Sequence, residues 1–223
     1  VYQLTIQSKN GQIVAGGEPF TRASHIAARG DFLYVLTDSG IASVSVGEKK
    51  TIEALIKKDS QWGTIVSMVS FGGNLYLLDT QKSRIWKYVS SDTGFSETRE
   101  YLNPDSLPDL SRATSMAIDG SVWVGTSDGK IMRFGQGREL TFVPKGVEPG
   151  FGQRLFVNTR DALKNVYVLD TDNKRVVVLD KDGLYVAQYT WQGNIVPTQF
   201  VVSETLKKIL LLVQGKMYSL EMQ

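Results

Sequence analysis

The chemistry open to this chain is bounded by two counts: one histidine, His25, and no cysteine. A multi-histidine metal centre and a histidine-based triad are excluded on that ground. Disulfides, thiolate metal sites and cysteine nucleophiles fall with the missing sulfur. His25 lies in the apolar run SHIAARGD and reads as a partly buried structural residue. The string Asp170-Thr171-Asp172-Asn173 has the opening acids of a calcium loop, but it lacks the glycine at position six and the glutamate at position twelve. Asp170 and Asp172 are expected instead to accept N–H groups of a turn, with Arg175 paired to a nearby acid. The stretches GGEPF, FGGN and GFGQ lack phosphate-loop spacing and are turns. What remains is a set of recognition residues: Arg22, Trp62, Arg112 and Arg154, set against Asp38, Gln81, Asp128 and Asp172. Arginine suits bidentate oxygen recognition and tryptophan suits stacking, so the set fits an acidic peptide, a glycan or a small anion. The competing reading pairs those arginines with those aspartates in structural ion pairs. No catalytic residue, metal ligand or cofactor is assigned.

A repeat brings this set together. The segment Asn165–Tyr189 holds three β-rich runs, Val166–Leu169, Arg175–Leu179 and Leu184–Tyr189, separated by the turns DTDNK and DKDG. Valine and tyrosine favour a pleated, half-buried surface, and Asp, Asn and Gly favour turns. Positions equivalent to Tyr167 recur at Tyr34, Tyr76, Trp123 and Leu210, at intervals of 42, 47, 44 and 43 residues. Each is followed by a turn and a second strand beginning near Ile41, Ile85, Ile131, Val176 and Met217. An earlier apolar strand precedes each copy. A fourth follows the first four, in TIEALIKK, ETREYLN, ELTFVPKG and LYVAQYTW. Four strands per period of about 40–50 residues predict an all-β chain folded as a β-propeller. The mid-strand aromatics Tyr34, Tyr76, Trp123 and Tyr167 are expected between blades. Asn103–Thr114 carries two prolines and is expected as a long loop with one helical turn. In a propeller, the loop leading into each blade and the loop between its second and third strands share a face, which gathers the recognition set.

The last repeat stops after its third strand. Val1–Leu4 aligns with a third strand and Gln12–Gly16 with a fourth, so an N-terminal strand is expected to complete the last blade and remove exposed sheet edges. Five blades are expected, with six as the alternative. Residues 1–223 are expected to form one propeller domain cut from a longer protein, because the chain begins at Val1.

The 25 Lys and Arg against 23 Asp and Glu give a net charge of +2, with no basic stripe of the kind nucleic acid requires. The longest apolar run, Ile209–Val213, falls far short of the ~20 residues of a membrane span. A monomeric domain is expected.

Asp170-Thr171-Asp172-Asn173-Lys174-Arg175-Val176, and more loosely Asp79-Thr80-Gln81-Lys82-Ser83-Arg84-Ile85, resemble the NHL-type propeller repeat, in which Asp, Asn and Arg bracket the turn before the third strand. Gly40 and Lys130 replace that Arg in two other copies. ATSMAIDGSVWV and KNVYVLDTDNKRVVVLDKDG are similar to C-terminal propellers of large uncharacterised bacterial proteins from candidate lineages. There the propeller follows a phosphatase-like domain and a membrane segment. The resemblance implies a fold and this context. The function expected of the chain is a non-enzymatic binding or scaffold module, sensory or extracytoplasmic, with a protein, peptide or glycan as partner. The alternative is a metal-dependent hydrolase of the gluconolactonase type, for which Glu18, Asp119 and Asn158 are residues of the required kind, since a hard cation wants several oxygens.

Overall fold

The computed structural model describes residues 2–5, 10–13, 20–92 and 94–223, with side chains from residue 20 onward. Glu18, and residues 14–16 of the expected N-terminal strand, lie outside the described residues. The chain forms two compact units, residues 1–100 and 101–223. Among the described residues no helix is long and apolar enough to cross a membrane. The one helical element described, a 3-10 turn at Pro104–Ser106, sits in the proline-bearing loop where a single turn was expected.

The first unit holds a two-stranded hairpin and two blades. Strands β1 (Tyr2–Thr5) and β2 (Asn10–Ile13) pair antiparallel with each other. The first blade runs β3 (His25–Arg29), β4 (Phe32–Thr37), β5 (Gly40–Ser45) and β6 (Lys50–Lys57), a simple antiparallel meander. Sequence propensity leaves TIEALIKK open to helix, but pairing against β5 draws it into strand. The second blade repeats the order with β7 (Ile65–Phe71), β8 (Asn74–Asp79), β9 (Arg84–Ser91) and β10 (Gly94–Glu100). Period-2 alternation sends Leu75 and Leu77 of β8 into one cluster with Tyr34, Leu36 and Ile41 of the first blade.

The second unit holds three blades. The third comprises β11 (Ala113–Ile118), β12 (Val122–Thr126), β13 (Ile131–Gly135) and β14 (Arg138–Leu140). The fourth comprises β15 (Leu155–Asn158), β16 (Val166–Asp170), β17 (Arg175–Leu179) and β18 (Tyr185–Thr190). The fifth has β19 (Gln199–Ser203), β20 (Lys208–Val213) and β21 (Lys216–Glu221), three strands among the described residues. The fourth strand expected for this blade from the N-terminus, Gln12–Gly16, falls mostly on residues 14–16, which lie outside the described residues. The count is five blades; among the described residues four show four strands and the fifth shows three.

The fourth blade shows why these sequences stack as blades. On β16, Val166 and Val168 face the third blade while Tyr167 and Leu169 face the fifth. On β17, Val177 and Leu179 face the third and Val176 and Val178 the fifth. Both strands are buried on both faces, which explains their unbroken apolar runs. Burying each such side chain contributes about 1.5–3 kcal/mol before conformational entropy is counted. Gly125 of β12 allows the third and fourth blades to close up, since a Cβ there would stand 2.7 Å from the Leu155 carbonyl oxygen. The four mid-strand aromatics, Tyr34, Tyr76, Trp123 and Tyr167, are all buried.

One expected strand is cut short. ELTFVPKG pairs only through Arg138–Leu140, and the alternation anticipated through Phe142 and Pro144 does not continue. The Phe142 ring instead meets Trp123 edge-on at 4.8 Å. Lys145 forms a one-residue parallel bridge with Leu184, at the start of the fourth blade's outer strand.

Candidate functional site

The last residues of the second strands carry the polar fittings of the blades. They are Thr37, Asp79, Thr126 and Asp170 in the first four blades, whereas the fifth blade's second strand ends on the apolar Val213. Asp170 is fully buried and accepts N–H groups from Gly152, at 3.3 Å to each oxygen, and from Asn173, together with the Asn173 amide at 2.8 Å. It also pairs with the buried Arg175, whose Nε donates at 3.0 Å. Asp79 makes the same clasp in the second blade. The N–H groups of Gly63 and Thr64 donate at 2.7 and 3.0 Å, and that of Lys82 at 3.1 Å. Its cationic partner is missing: Arg84 pairs instead with Glu100 at 3.0 Å, and the Trp86 indole N–H donates to Asp79 at 2.9 Å. Gly63 and Gly152 must be glycine, because a Cβ would come within 2.8 Å of Asp79 and 2.6 Å of Asp172 respectively.

Arg175 spends all five of its N–H donors. Beyond Asp170, its Nη1 reaches the Glu148 carbonyl at 3.3 Å and the Gln188 side chain at 3.0 Å. Its Nη2 reaches the carbonyls of Pro149 and Gly150 at 2.6 and 2.9 Å. The guanidinium lies 5.9 Å from the Phe151 ring centroid. One buried side chain thus pins the loop that leads into the fourth blade.

That loop forms one wall of a cleft of ≈ 870 Å³. The other wall is the third blade, with Arg112 before β11, Asp128 and Lys130 in the β12–β13 turn, and Ile131 and Met132 on β13. Phe142, Val143, Val147 and Phe151 supply its apolar surface. Its charged lining is Asp109, Asp128, Glu139 and Glu148 against Arg112 and Lys130. Asp128 pairs with Lys130 at 3.0 Å. Hydrogen bonds from Thr126 and Lys130 hold the Asp128 carboxyl below its ordinary range, with Arg112 adding a smaller effect. The Ser111 hydrogen bonds do the same for Asp109, again assisted by Arg112. Gly129, at φ +79°, brings the turn against the fourth blade, its N–H donating to the Gln153 carbonyl at 2.6 Å.

The structure brings two of the sequence-selected residues, Arg112 and Asp128, into this cleft. The others have local partners. Arg22 pairs with Asp38 at 3.2 Å with both side chains exposed. Trp62 donates its indole N–H to the Tyr88 hydroxyl at 2.9 Å, and Thr64 donates to the Gln81 side chain at 3.4 Å. Asp172 accepts the Gln153 N–H at 2.7 Å, and Arg154 sits over the Phe156 ring at 5.3 Å. Sequence reading missed Glu139, Glu148, Phe142 and Phe151. The available signal was the length and the Phe, Pro and Gly content of residues 141–154, the longest gap between strands in the second unit.

The opposite end of these blades carries a second polar cluster. Lys181 donates to the Asp119 carboxylate, the Thr159 hydroxyl and the Asn165 carbonyl. Trp123 donates to Asp119 at 2.7 Å. Burial pushes the Asp119 carboxyl up, but the Lys181 and Trp123 hydrogen bonds outweigh it and leave it below its ordinary range. Of the residues considered for a lactonase-type metal, Asp119 is thus committed to Lys181, and the Asn158 amide donates to the Phe200 carbonyl at 3.4 Å. Among the described residues no three His, Cys, Asp or Glu side chains stand together as a metal site. His25 is hydrogen-bonded with Ser24 at 3.0 Å, and burial lowers its pKa.

No family model matches the chain, and no curated protein does. Solved structures do. A chain of the crystallised nidogen/laminin complex is similar over 85% of this chain and 71% of its own, at 15% identity and a TM-score of 0.59. PorZ, an essential bacterial surface component of the type-IX secretion system of Porphyromonas gingivalis, is similar over 91% of this chain and 26% of its own, at 8% identity and a TM-score of 0.56. The computationally designed Ika8 protein is similar over 90% and 58%, at 12% identity and a TM-score of 0.57. With the five meander sheets, these similarities define a β-propeller. At such identities they carry the fold alone.

Proposed function

We propose that this β-propeller is a non-enzymatic binding module that uses the cleft between Arg112, Asp128 and the Arg175-pinned loop to hold an extended ligand. The observation that carries this reading is the cleft itself: ≈ 870 Å³, lined by Phe142, Val143, Val147 and Phe151 together with six charged side chains. Binding sites are concave, mostly apolar and marked by a few placed polar groups. Four carboxylates against two cations favour a cationic or mixed-charge partner over the small anion that arginine and tryptophan alone would suggest. Arg22, Asp38 and Trp62, and Arg154 and Asp172, are the remaining members of the recognition set. The NHL-type reading rests on the Asp170 and Asp79 clasps. A single propeller domain, carried on the extracytoplasmic side of a larger bacterial protein, is the setting such a module suits; the bacterial surface component PorZ offers a parallel in fold.

The test is a titration of the ¹⁵N-labelled chain with pools of basic, acidic and neutral peptides. Shift changes are expected at Arg112, Gly129, Gly146 and Phe151 with the basic pool. Silence from all three pools at millimolar concentration overturns the reading.

A further inference from the structure

The geometry points to strand addition as the way the cleft takes its ligand: an extended, lysine- or arginine-bearing peptide segment that pairs with β13 and completes the third blade. This deepens the binding reading above and rests on it.

The outer strands of the first, second and fourth blades run eight, seven and six residues; β14 runs three. It faces Gly135, Phe134 and Arg133 and ends at Leu140, so among the described residues no strand stands opposite Ile131 on that side. Hydrogen-bonded and non-bonded pairs alternate along an antiparallel ladder. Gly135 and Arg138 close a two-residue hairpin and are a bonded pair; Arg133 and Leu140 are the next. The same parity aims the N–H and C=O of Ile131 outward. The inner side agrees, since Lys130 turns its carbonyl to the Thr126 N–H at 3.2 Å, and its neighbour Ile131 must face the other way.

The segment that would have covered Ile131 is held elsewhere. Phe142 is drawn onto Trp123. The Lys145 N–H donates to the Gly183 carbonyl at 2.9 Å, and the Tyr185 N–H donates to Lys145 at 3.0 Å. The chain that would have lengthened β14 is instead bridged to the fourth blade at Lys145. The cleft opens directly on the vacated position, because Ile131, Met132, Glu139 and Phe142 all line it.

Main-chain bonds give strand addition its affinity, and alternate side-chain pockets give its specificity. A strand bound here would lie among Phe142 and Val143 and beside Glu139 and Glu148, whose side chains are exposed and in no ion pair among the described residues. That complementarity selects a cationic segment.

The experiment uses fluorescence anisotropy on the full chain with three fluorescein-labelled hexapeptides: alternating Val and Lys, alternating Val and Glu, and the Val–Lys peptide N-methylated at every residue. The Val–Lys peptide is expected to bind at least tenfold more tightly than either of the others. The double variant Glu139→Lys, Glu148→Lys, checked for an unchanged melting temperature, is expected to lose that preference and gain the Val–Glu peptide. Equal binding of the N-methylated peptide overturns strand addition and leaves the cleft reading standing. Equal binding of Val–Glu by the unmodified chain, or indifference to the double variant, overturns the cationic occupant at this site. No binding of any peptide overturns both readings.

Discussion

Arg175 shows what a single residue does in this molecule. Its five donors meet five acceptors, in a site almost closed to solvent, so any replacement strands several partners at once. Arg175→Met is expected to destabilise the chain by about 3–5 kcal/mol, because it leaves Asp170 as an uncompensated buried carboxylate. Chemical denaturation measures this, and the loss of the cleft wall at Glu148–Gly150 should accompany it. Trp86→Phe is milder: one buried hydrogen bond to Asp79 goes, at a cost of about 1–3 kcal/mol in the same measurement. The Asp–Arg pairing was legible in DTDNKR, since those residue types serve turns and little else at that spacing. The indole that replaces the guanidinium in the second blade was not, because nothing in a run such as RIWKYV says which way a tryptophan turns.

At the scale of elements, the glycines that lead into blades carry strict steric duties. Gly152→Ala and Gly63→Ala each push a methyl group into a carboxylate clasp, and each is expected to cost about 1–3 kcal/mol by thermal or denaturant melting. Full stability in both variants would show that the clasps yield more readily than their geometry implies. The four-stranded period was readable from spacing and alternation, with five blades favoured over six, and the third strands β5, β9, β13, β17 and β21 begin within a residue of the expected positions. The truncation of β14 was not readable. ELTFVPKG alternates like a strand, and only the packing of Phe142 on Trp123 and the Lys145 bridge show where its second half goes. The cleft owes its existence to that diversion, which is why a list of conspicuous arginines found only part of it.

For the molecule as a whole, titration sets the range of pH over which the fold holds. His25 has a folded pKa below its ordinary 6.5, so the unfolded chain takes up its proton first as pH falls. Stability from this group is complete above about pH 6.5 and declines below it. Asp109, Asp119 and Asp128 have lowered pKa values, so their contribution persists above the model-peptide value of 3.8 and is lost as pH falls further. At the alkaline end, burial raises the pKa of Tyr88 and, with the Glu204 hydrogen bond, that of Tyr167; the unfolded chain ionises first above pH 10.0. A plateau in melting temperature between about pH 6.5 and 10 is expected. His25→Gln should flatten the first decline on the acid side while leaving the steeper one near pH 4.

The unequal fittings at the ends of the second strands also set a schedule of opening. Backbone amides exchange with heavy water as segments unlatch, and well-fastened segments exchange last. Amides of β16 and β17, fastened by Asp170 and Arg175, should be among the slowest of the second unit. Those of β20 and β21, where Val213 offers no clasp and β21 has no outer neighbour among the described residues, should be among the first to take up deuterium.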